Sequence, residues 1–319
     1  MEQLKPLQPT FEIFVASFLW ASAVVGIRIV YVIEPSTHPA TFGFFRSLVT
    51  TIILTTILVG ITYQQHRNKS HQSEPHLKGN LLRKAYKDAR ILLIPGTASG
   101  LVYTLQYIAQ IYTTAGKTSL LMALHVFFTA IFSVILLRDK ITTRQLFGII
   151  LGFSGATLLT IDPYNLEEIF TSGYVIGDIL AILGAMFWGL YNVTIKQKLP
   201  PETGAIKATT HVFLFTTITM MPFLLLPIPS ASPFPNSLLL SPTAIVGGIL
   251  LSLFGSVGAF FFWHRGIKGT SATTASLYLT SIPIFSILLE SILLREPITN
   301  LIIIGSSIII VGTLLNIYK

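Results

Sequence analysis

Four polar side chains follow helical spacing in the apolar stretch 91–113. They are Tyr103, Gln106, Tyr107 and Gln110, at positions i, i+3, i+4 and i+7, and side chains with this spacing lie on one face of an α-helix. Because an amide exposed to lipid is costly, that face is expected to turn towards protein or a water-filled cavity. We favour a cavity wall that hydrogen-bonds a polar ligand; the alternative is polar contact between packed helices.

Aromatic side chains elsewhere in the chain could supply the apolar part of a binding site. The candidates are Trp20, Trp188, Phe260, Trp263, His264 and Tyr278. Trp20 and Trp188 occupy matching positions in the first and sixth apolar stretches, where they could gate a cavity or pack between two halves of the protein. Trp263 and His264 could instead lie in the aromatic belt at the membrane surface, where tryptophan is enriched.

Charged and titratable residues inside apolar stretches are candidate functional residues, because the membrane interior penalises them. Arg46 could neutralise a carboxylate or a phosphate of a ligand, or it could pair with Glu290. Glu290 is also the strongest acidic candidate for proton coupling. His125 is a second candidate because imidazole titrates near neutral pH; the alternative is a hydrogen bond in a helix contact. Arg28 lies near the end of its stretch and is expected to snorkel to the lipid headgroups.

Several kinds of catalytic chemistry lack their residues in this sequence. There is no cysteine, and therefore no disulfide framework or thiolate metal site. No phosphate-binding glycine loop, metal-spaced histidine pair or Gly-x-Ser-x-Gly elbow is present. We therefore expect no cofactor, no metal and no enzyme activity. A scaffold protein is also disfavoured, because it would not need polar stripes inside its apolar stretches.

The composition is that of a membrane protein. Hydrophobic residues make up 52% of the chain and charged residues 11%, with a mean hydropathy of +0.72, whereas soluble domains carry about 25% charged residues. About 20 apolar residues of helix cross a bilayer. We count ten candidate spans: 11–33, 39–62, 91–113, 118–137, 144–161, 174–194, 206–228, 242–264, 271–292 and 300–317.

The distribution of Lys and Arg predicts the orientation of these spans. With the N-terminus inside, 17 of the 21 Lys and Arg residues fall on the inner side, many of them in the polar loop 63–90. This bias follows the positive-inside rule and predicts cytoplasmic N- and C-termini in the cell membrane. The net charge of +8 is thereby explained by topology, and a nucleic-acid partner is not expected.

The chain contains an internal repeat with an offset of 157 positions. The segment LLRDKIT at 136–142 corresponds to LLREPIT at 293–299, and Gly148 and Gly155 correspond to Gly305 and Gly312. The predicted domains are 1–161 and 174–317, with five spans each. Because an odd number of spans inverts the second copy, the predicted fold is all-α, with ten transmembrane helices in two inverted repeats. Such repeats are typical of secondary transporters, with the substrate site near the bilayer midplane between them.

The sequence also resembles a known family. The matching features are Trp20 with small neighbours, FFRS at 44–47, the acid-led turns at Asp139 and Glu296, the glycines after each turn, and the segment from Gly177 to Asn192. Over nearly its whole length the chain is similar to EamA-type members of the drug/metabolite transporter superfamily. The resemblance implies a metabolite carrier whose fifth and tenth spans meet. The family often has proline where Val126 lies, whereas Pro283 is present in the second copy; a helix break in the first copy is therefore expected to be absent or displaced.

These observations predict a secondary transporter. It would move a small polar or amphipathic metabolite, amino-acid-like or nucleoside-derived, by alternating access, with possible proton or exchange coupling. The alternative is an exchanger of nucleotide-sugars or sugar phosphates, which should use several intramembrane cations, whereas only Arg46 is well placed here. The expected partners are the substrate and the lipid bilayer, and the protein is expected to be a monomer or a homodimer.

Overall fold

The structure is a computed structural model that describes residues 7–34, 37–69, 90–112, 118, 121–160, 175–225, 240–295, 298 and 300–317. These residues are predominantly helical, and none of them forms a strand. Most of the polar loop 63–90 lies outside the described residues, as does the turn acid Glu296.

Helices of differing length account for most of the described residues. Grouping contiguous turns, we label them α1 (Leu7–Ile33), α2 (Pro39–Lys69), α3 (Leu93–Tyr112), α4 (His125–Leu137), α5 (Thr143–Thr160), α6 (Val175–Lys198), α7 (Ala205–Met220), α8 (Pro242–Gly269), α9 (Ala272–Leu294) and α10 (Asn300–Ile317). Helix α2 continues to Lys69 and α6 to Lys198, beyond the predicted ends at 62 and 194. Helices α4 and α8 each contain a π-helical segment, at Ser133–Leu137 and Ser252–Gly258.

The apolar character of the rods is that of membrane helices. In the described residues, α1, α2, α6, α8 and α9 are each long and apolar enough to cross a bilayer, and α4 and α10 are shorter apolar helices. Large apolar side chains on the outside of the bundle are exposed, among them Val59, Ile176 and Ile292, which is 73% exposed. A surface of this kind is stable against lipid and unstable in water.

Helix α5 packs along α10 with close backbone contact. A Cβ atom added to Gly155 would lie 2.6 Å from the carbonyl oxygen of Gly305, and one added to Gly148 would lie 2.9 Å from that of Gly312. Small residues allow this approach. The two glycine-containing helices therefore meet, as the family resemblance implied.

The other rods surround a central cluster of buried side chains. Helix α1 packs against α8 and α9, α3 packs against α6 and α7, and α2 packs against α7. Fully buried Ile13, Phe213 and Trp263 belong to the central cluster, which brings α1, α7 and α8 together. The hydroxyl of Thr217 shares hydrogen bonds with the hydroxyls of Ser47 at 2.8 Å and Thr51 at 2.9 Å, and these bonds join α7 to α2.

Both copies of the repeat contain a helix break at the same position. A turn at residues 123–124 precedes His125, and a 3₁₀ turn at Leu279–Ser281 precedes Ile282 and Pro283. Shifted by 157, the first break falls on the last two residues of the second. Although Val126 replaces proline, the break in the first copy is therefore neither absent nor displaced.

Candidate functional site

A cavity of about 720 Å³ lies among α1, α2, α3, α6, α8 and α9. Nine of the predicted site residues line it: Trp20, Arg46, Tyr103, Gln106, Tyr107, Gln110, Trp188, Phe260 and Glu290. The remaining candidates, His125, Trp263, His264 and Tyr278, do not belong to this lining. The polar face of α3 thus lines a cavity, which was one of its two interpretations; the other was polar contact between packed helices.

The inner end of the cavity is aromatic and is centred on Trp20, near the middle of α1. Its ring packs edge-on against Phe260 at a centroid distance of 5.1 Å and edge-on against Trp188 at 6.5 Å. Trp263 lies behind it at 5.8 Å. Aromatic rings arranged in this way offer apolar area together with electron-rich faces. The floor of the cavity can therefore hold an apolar or planar group.

His125 lies behind this aromatic floor. Its ring stacks on Trp188 with a centroid distance of 4.4 Å and an angle of 27°. The side chain is buried, and within the described residues its Nδ1 atom has no hydrogen-bond partner. The other interpretation of His125 was a hydrogen bond that holds it in a helix contact. Within the described residues, Nδ1 forms no such bond. His125 thus contacts the cavity residue Trp188 and could affect the cavity through it.

His264 is fully buried and joins three helices. Its Nε2 atom is 3.0 Å from the hydroxyl of Tyr191 on α6, and its Nδ1 atom is 2.8 Å from the hydroxyl of Thr209 on α7. Trp263 is also fully buried. The interpretation of both residues as part of an interfacial belt is therefore wrong. Of this network Tyr191 alone lines the cavity, so His264 supports the site through Tyr191.

Tyr278 lies away from the cavity. Its ring stacks on Phe14 at 5.5 Å, and its hydroxyl donates a hydrogen bond of 3.3 Å to the backbone oxygen of Asn316. These contacts connect α9 to α1 and α10. In this arrangement Tyr278 is a packing residue.

Arg46 is a buried cation on the wall of the cavity, only 5% exposed. Its guanidinium lies 5.3 Å from the ring centroid of Tyr103, which stacks on Tyr107. The backbone oxygen of Arg46 accepts hydrogen bonds from Ser252 at 2.9 Å and from Thr50 at 2.8 Å. The bond from Ser252 joins α8 to α2 at the residue that carries the guanidinium, whereas the bond from Thr50 lies within α2.

Glu290 pairs with Arg28, and not with Arg46. The Nη1 atom of Arg28 lies 3.1 Å from Oε1 of Glu290, with side-chain exposures of 47% and 16%. The Arg46–Glu290 pair, one of the two interpretations of Arg46, is therefore not formed, and Arg28, which was expected to snorkel, is paired at the cavity. Within the described residues no carboxylate pairs with Arg46.

Tyr31 is a cavity residue that the sequence analysis missed. It lines the cavity, and its buried hydroxyl has no hydrogen-bond partner among the described residues. A signal was present: Trp20, Val24, Ile27 and Tyr31 follow helical spacing along α1, and all four line the cavity. Extending the face of Trp20 by three turns would have found it.

Basic residues hold the far end of the bundle together, beyond His264. Lys196 donates hydrogen bonds of 2.9 Å to the carbonyl oxygens of Ile267 and Lys268, where α8 ends. Lys268 donates in turn to the carbonyl oxygens of Pro201 and Thr203. We call these four contacts the lysine clamp. Nearby, Arg265 pairs with the buried carboxylate of Glu12 at 2.7 Å.

Comparison with known proteins identifies the family. The chain belongs to the EamA-like transporter family, whose model matches residues 10–161 and again residues 175–318, and it is thus a member of the drug/metabolite transporter superfamily. A relative from Archaeoglobus fulgidus, described as an uncharacterized transporter, is 27% identical over 69% of this chain and 72% of the relative.

Two further comparisons bear on function and fold. A protein from Salmonella typhimurium described as a probable amino-acid metabolite efflux pump is 22% identical over 64% of this chain and 68% of that protein. A solved crystal structure matches with a TM-score of 0.69 and 17% identity, over 97% of this chain and 96% of that chain. The structural match establishes a shared fold. The general role of the chain is that of an EamA-type membrane transporter.

Proposed function

We propose that the protein is a secondary transporter that moves a small amphipathic metabolite by alternating access. The observation that carries this proposal is the cavity, which combines an aromatic floor at Trp20 with a polar wall at Tyr103, Gln106 and Arg46. Such a lining suits a ligand with one apolar and one polar part. The cavity and the lysine clamp occupy opposite ends of the bundle, an arrangement that one state of an alternating-access carrier requires.

The proposed architecture is ten spans in two inverted repeats, 1–161 and 174–317. Two observations support it. Arg138 and Arg295, 157 positions apart, adopt the same left-handed backbone conformation. The helix contacts also come in matched pairs: α3 with α6 corresponds to α8 with α1, while α5 with α10 and α2 with α7 correspond to themselves. A two-fold relation between halves generates such pairs.

The proposed location is the cell membrane, with both termini in the cytoplasm. The excess of Lys and Arg on the side of the termini supports this orientation. It assigns the Arg28 end of the cavity to the outside and the lysine clamp to the cytoplasmic side. The described conformation is then outward-facing.

The alternative is an exchanger of nucleotide-sugars or sugar phosphates. One buried cation, Arg46, and one half-exposed cation, Arg28, line the cavity, and Arg28 is already paired. Phosphorylated ligands carry close to two negative charges at neutral pH and call for more cations than this. The similarity to a probable amino-acid metabolite efflux pump also favours the amphipathic metabolite.

Radiolabel counterflow in proteoliposomes tests the proposal. Vesicles containing the purified protein are preloaded with one compound from a panel of amino acids, nucleoside-derived metabolites and sugar phosphates. Exchange of an amphipathic metabolite, reduced in Gln106→Ala and Tyr107→Phe, is the expected result. Exchange of phosphate esters alone would favour the alternative. No exchange of any member by folded protein in sealed vesicles counts against the proposed substrate class.

A further inference from the structure

Arg46 lies among tyrosines and not among acids. Its guanidinium faces the ring of Tyr103 at 5.3 Å, Tyr103 stacks on Tyr107 at 6.3 Å, and Tyr31 lines the same cavity. Arg46, Tyr31 and Tyr107 all line the cavity. We call Arg46 and these three tyrosines the arginine–tyrosine cluster.

The cluster has unsatisfied bonding capacity of two kinds. A buried guanidinium needs a counter-charge, because desolvating a cation without a partner is costly. Among the described residues no carboxylate supplies one, and the cavity acid Glu290 is held by Arg28. The buried hydroxyl of Tyr31 likewise has no partner within the described residues. A cation and a nearby O–H donor are together what an anionic oxygen acceptor would satisfy.

The charges of the cavity indicate how much negative charge it can take. Its charged lining residues are Arg28, Arg46 and Glu290, which leave a net charge of one positive unit. A carboxylate carries one negative unit and matches this balance. A phosphate ester, with close to two units at neutral pH, would leave an uncompensated negative charge where burial of charge is costly.

The aromatic floor defines the other half of the ligand. Trp20, Trp188 and Phe260 line the end of the cavity, beside the polar wall that carries the cluster. We propose that the arginine–tyrosine cluster is the carboxylate subsite of the transporter, and that its substrates are carboxylate metabolites with an apolar or aromatic body. The inference rests on the proposed function, because it names the substrate class of the same cavity.

The tryptophans allow a direct binding measurement. The chain has three tryptophans, and all of them, Trp20, Trp188 and Trp263, lie in the aromatic group at the cavity floor. Intrinsic fluorescence excited at a wavelength that phenyl groups do not absorb therefore reports occupation of the floor. Full-length protein in lipid nanodiscs is titrated with phenylacetate, L-phenylalanine, 2-phenylethylamine and phenyl phosphate.

The ligand series gives the first result. We expect saturable fluorescence changes with phenylacetate and L-phenylalanine, which share a carboxylate, and weaker binding of 2-phenylethylamine by about ten- to a hundredfold, because a charge-assisted hydrogen bond is lost. Equal binding of the amine and of phenylacetate would overturn the inference. Tighter binding of phenyl phosphate than of phenylacetate would overturn it as well.

Variants locate the subsite. Arg46→Gln should weaken phenylacetate binding by about ten- to a hundredfold, and Tyr31→Phe by about two- to tenfold. Lys198→Gln is the matched control, because it removes an exposed cation that does not line the cavity and should leave phenylacetate affinity within about twofold. An effect of Lys198→Gln as large as that of Arg46→Gln would mean that the loss of affinity does not report a carboxylate site at Arg46. If Arg46→Gln does not fold, Arg46→Lys and the wild-type ligand series still test whether the carboxylate binds at Arg46.

Counterflow separates this inference from the proposed function. Carboxylate exchange that survives Arg46→Gln would contradict the carboxylate subsite at Arg46 and would still support transport. Absence of any exchange, together with carboxylate binding that depends on Arg46, would support the subsite and contradict the transport function.

Discussion

Arg138 and Arg295 stand 157 positions apart and adopt the same unusual backbone conformation, with φ of 58° and 56°. Each follows the last turn of an apolar helix, α4 in one case and α9 in the other. Among the described residues they are the non-glycine residues with positive φ. Left-handed residues often end helices, but glycine usually occupies such positions because side chains strain there. Both copies of the repeat therefore end a helix with the same local strain.

This relationship predicts matched effects of substitution at the two arginines. In each case the glycine variant, Arg138→Gly or Arg295→Gly, should be more stable than the corresponding alanine variant by about 1 kcal/mol, because alanine keeps the Cβ strain of the left-handed conformation and glycine does not. Comparing glycine with alanine cancels the loss of charge, which is common to both. Thermal unfolding in detergent measures the difference. A glycine advantage at one position alone would argue against equivalent turns.

Much of the bundle could be predicted from the sequence, because periodicity and repeats are local patterns. The face of Tyr103, Gln106, Tyr107 and Gln110 required only helical spacing, and all four residues line the cavity. The break before His125 was harder to predict, because proline is missing at Val126. The equivalent break before Pro283 shows that the first copy keeps the geometry of the repeat without the proline. The presence or absence of this one residue was therefore not enough to predict the break.

The contact between α5 and α10 predicts a steric penalty at Gly155. In Gly155→Ala, the added methyl group would lie 2.6 Å from the backbone oxygen of Gly305 unless the helices move apart. Overpacking of this kind costs about 1–3 kcal/mol. Gly60→Ala on α2 is the matched control, because nothing lies within 4 Å of its added Cβ and alanine favours a helix. Apparent melting temperature is the readout. If both variants melt like the wild type, the two helices are not in close contact.

The buried hydrogen bonds of His264 predict a supporting role that can be separated from binding. His264→Phe leaves the hydroxyl of Tyr191 without its 3.0 Å partner, which should cost about 1–3 kcal/mol of stability. Phenylacetate affinity should change little, because His264 does not line the cavity. The double variant with Tyr191→Phe should cost less than the sum of the two single changes. Additive costs would mean that the two residues do not interact.

The pairing of charges could not be predicted from the sequence for a geometric reason. Arg28, Arg46 and Glu290 lie on three different helices, and which cation reaches the carboxylate depends on the rotation of each helix about its own axis. Hydropathy and helix ends give the depth of a residue but not this rotation. For the same reason the sequence left His264 either in the cavity wall or in a surface belt, whereas the structure buries it completely between α6 and α7, outside the cavity lining.

The ion pair of Glu290 leads to a test of proton coupling. Protonation of Glu290 would break its pair with Arg28, and so would link a proton to the helices α1 and α9 that carry the pair. Glu290→Gln is therefore expected to retain counterflow, which needs no net driving force, and to lose accumulation driven by a pH gradient. Arg28→Lys, which keeps both the carboxylate and a cation to pair with it, should retain the response to the gradient. Normal gradient-driven accumulation by Glu290→Gln would exclude this residue and leave His125 as the remaining candidate.

The lysine clamp predicts how the closed end of the bundle is released. Lys196→Met removes two hydrogen bonds to the end of α8, to Ile267 and Lys268, and charge-assisted bonds of this kind contribute about 1.5–3 kcal/mol each. Because about 1.4 kcal/mol corresponds to a tenfold change in an equilibrium, the population open at that end should rise by about tenfold or more.

Cysteine reactivity can report this opening, since the chain contains no cysteine of its own. Thr209 is fully buried between the cavity and the clamp and contacts His264, so Thr209→Cys should react slowly with a charged thiol reagent in the otherwise unchanged protein. Adding Lys196→Met should accelerate the reaction, and adding Lys198→Met, at an exposed lysine two residues further on, should not. Acceleration by both lysine variants would indicate general loosening of the bundle. Acceleration by Lys196→Met alone would identify the clamp as the contact that keeps this end closed while the cavity faces the other side.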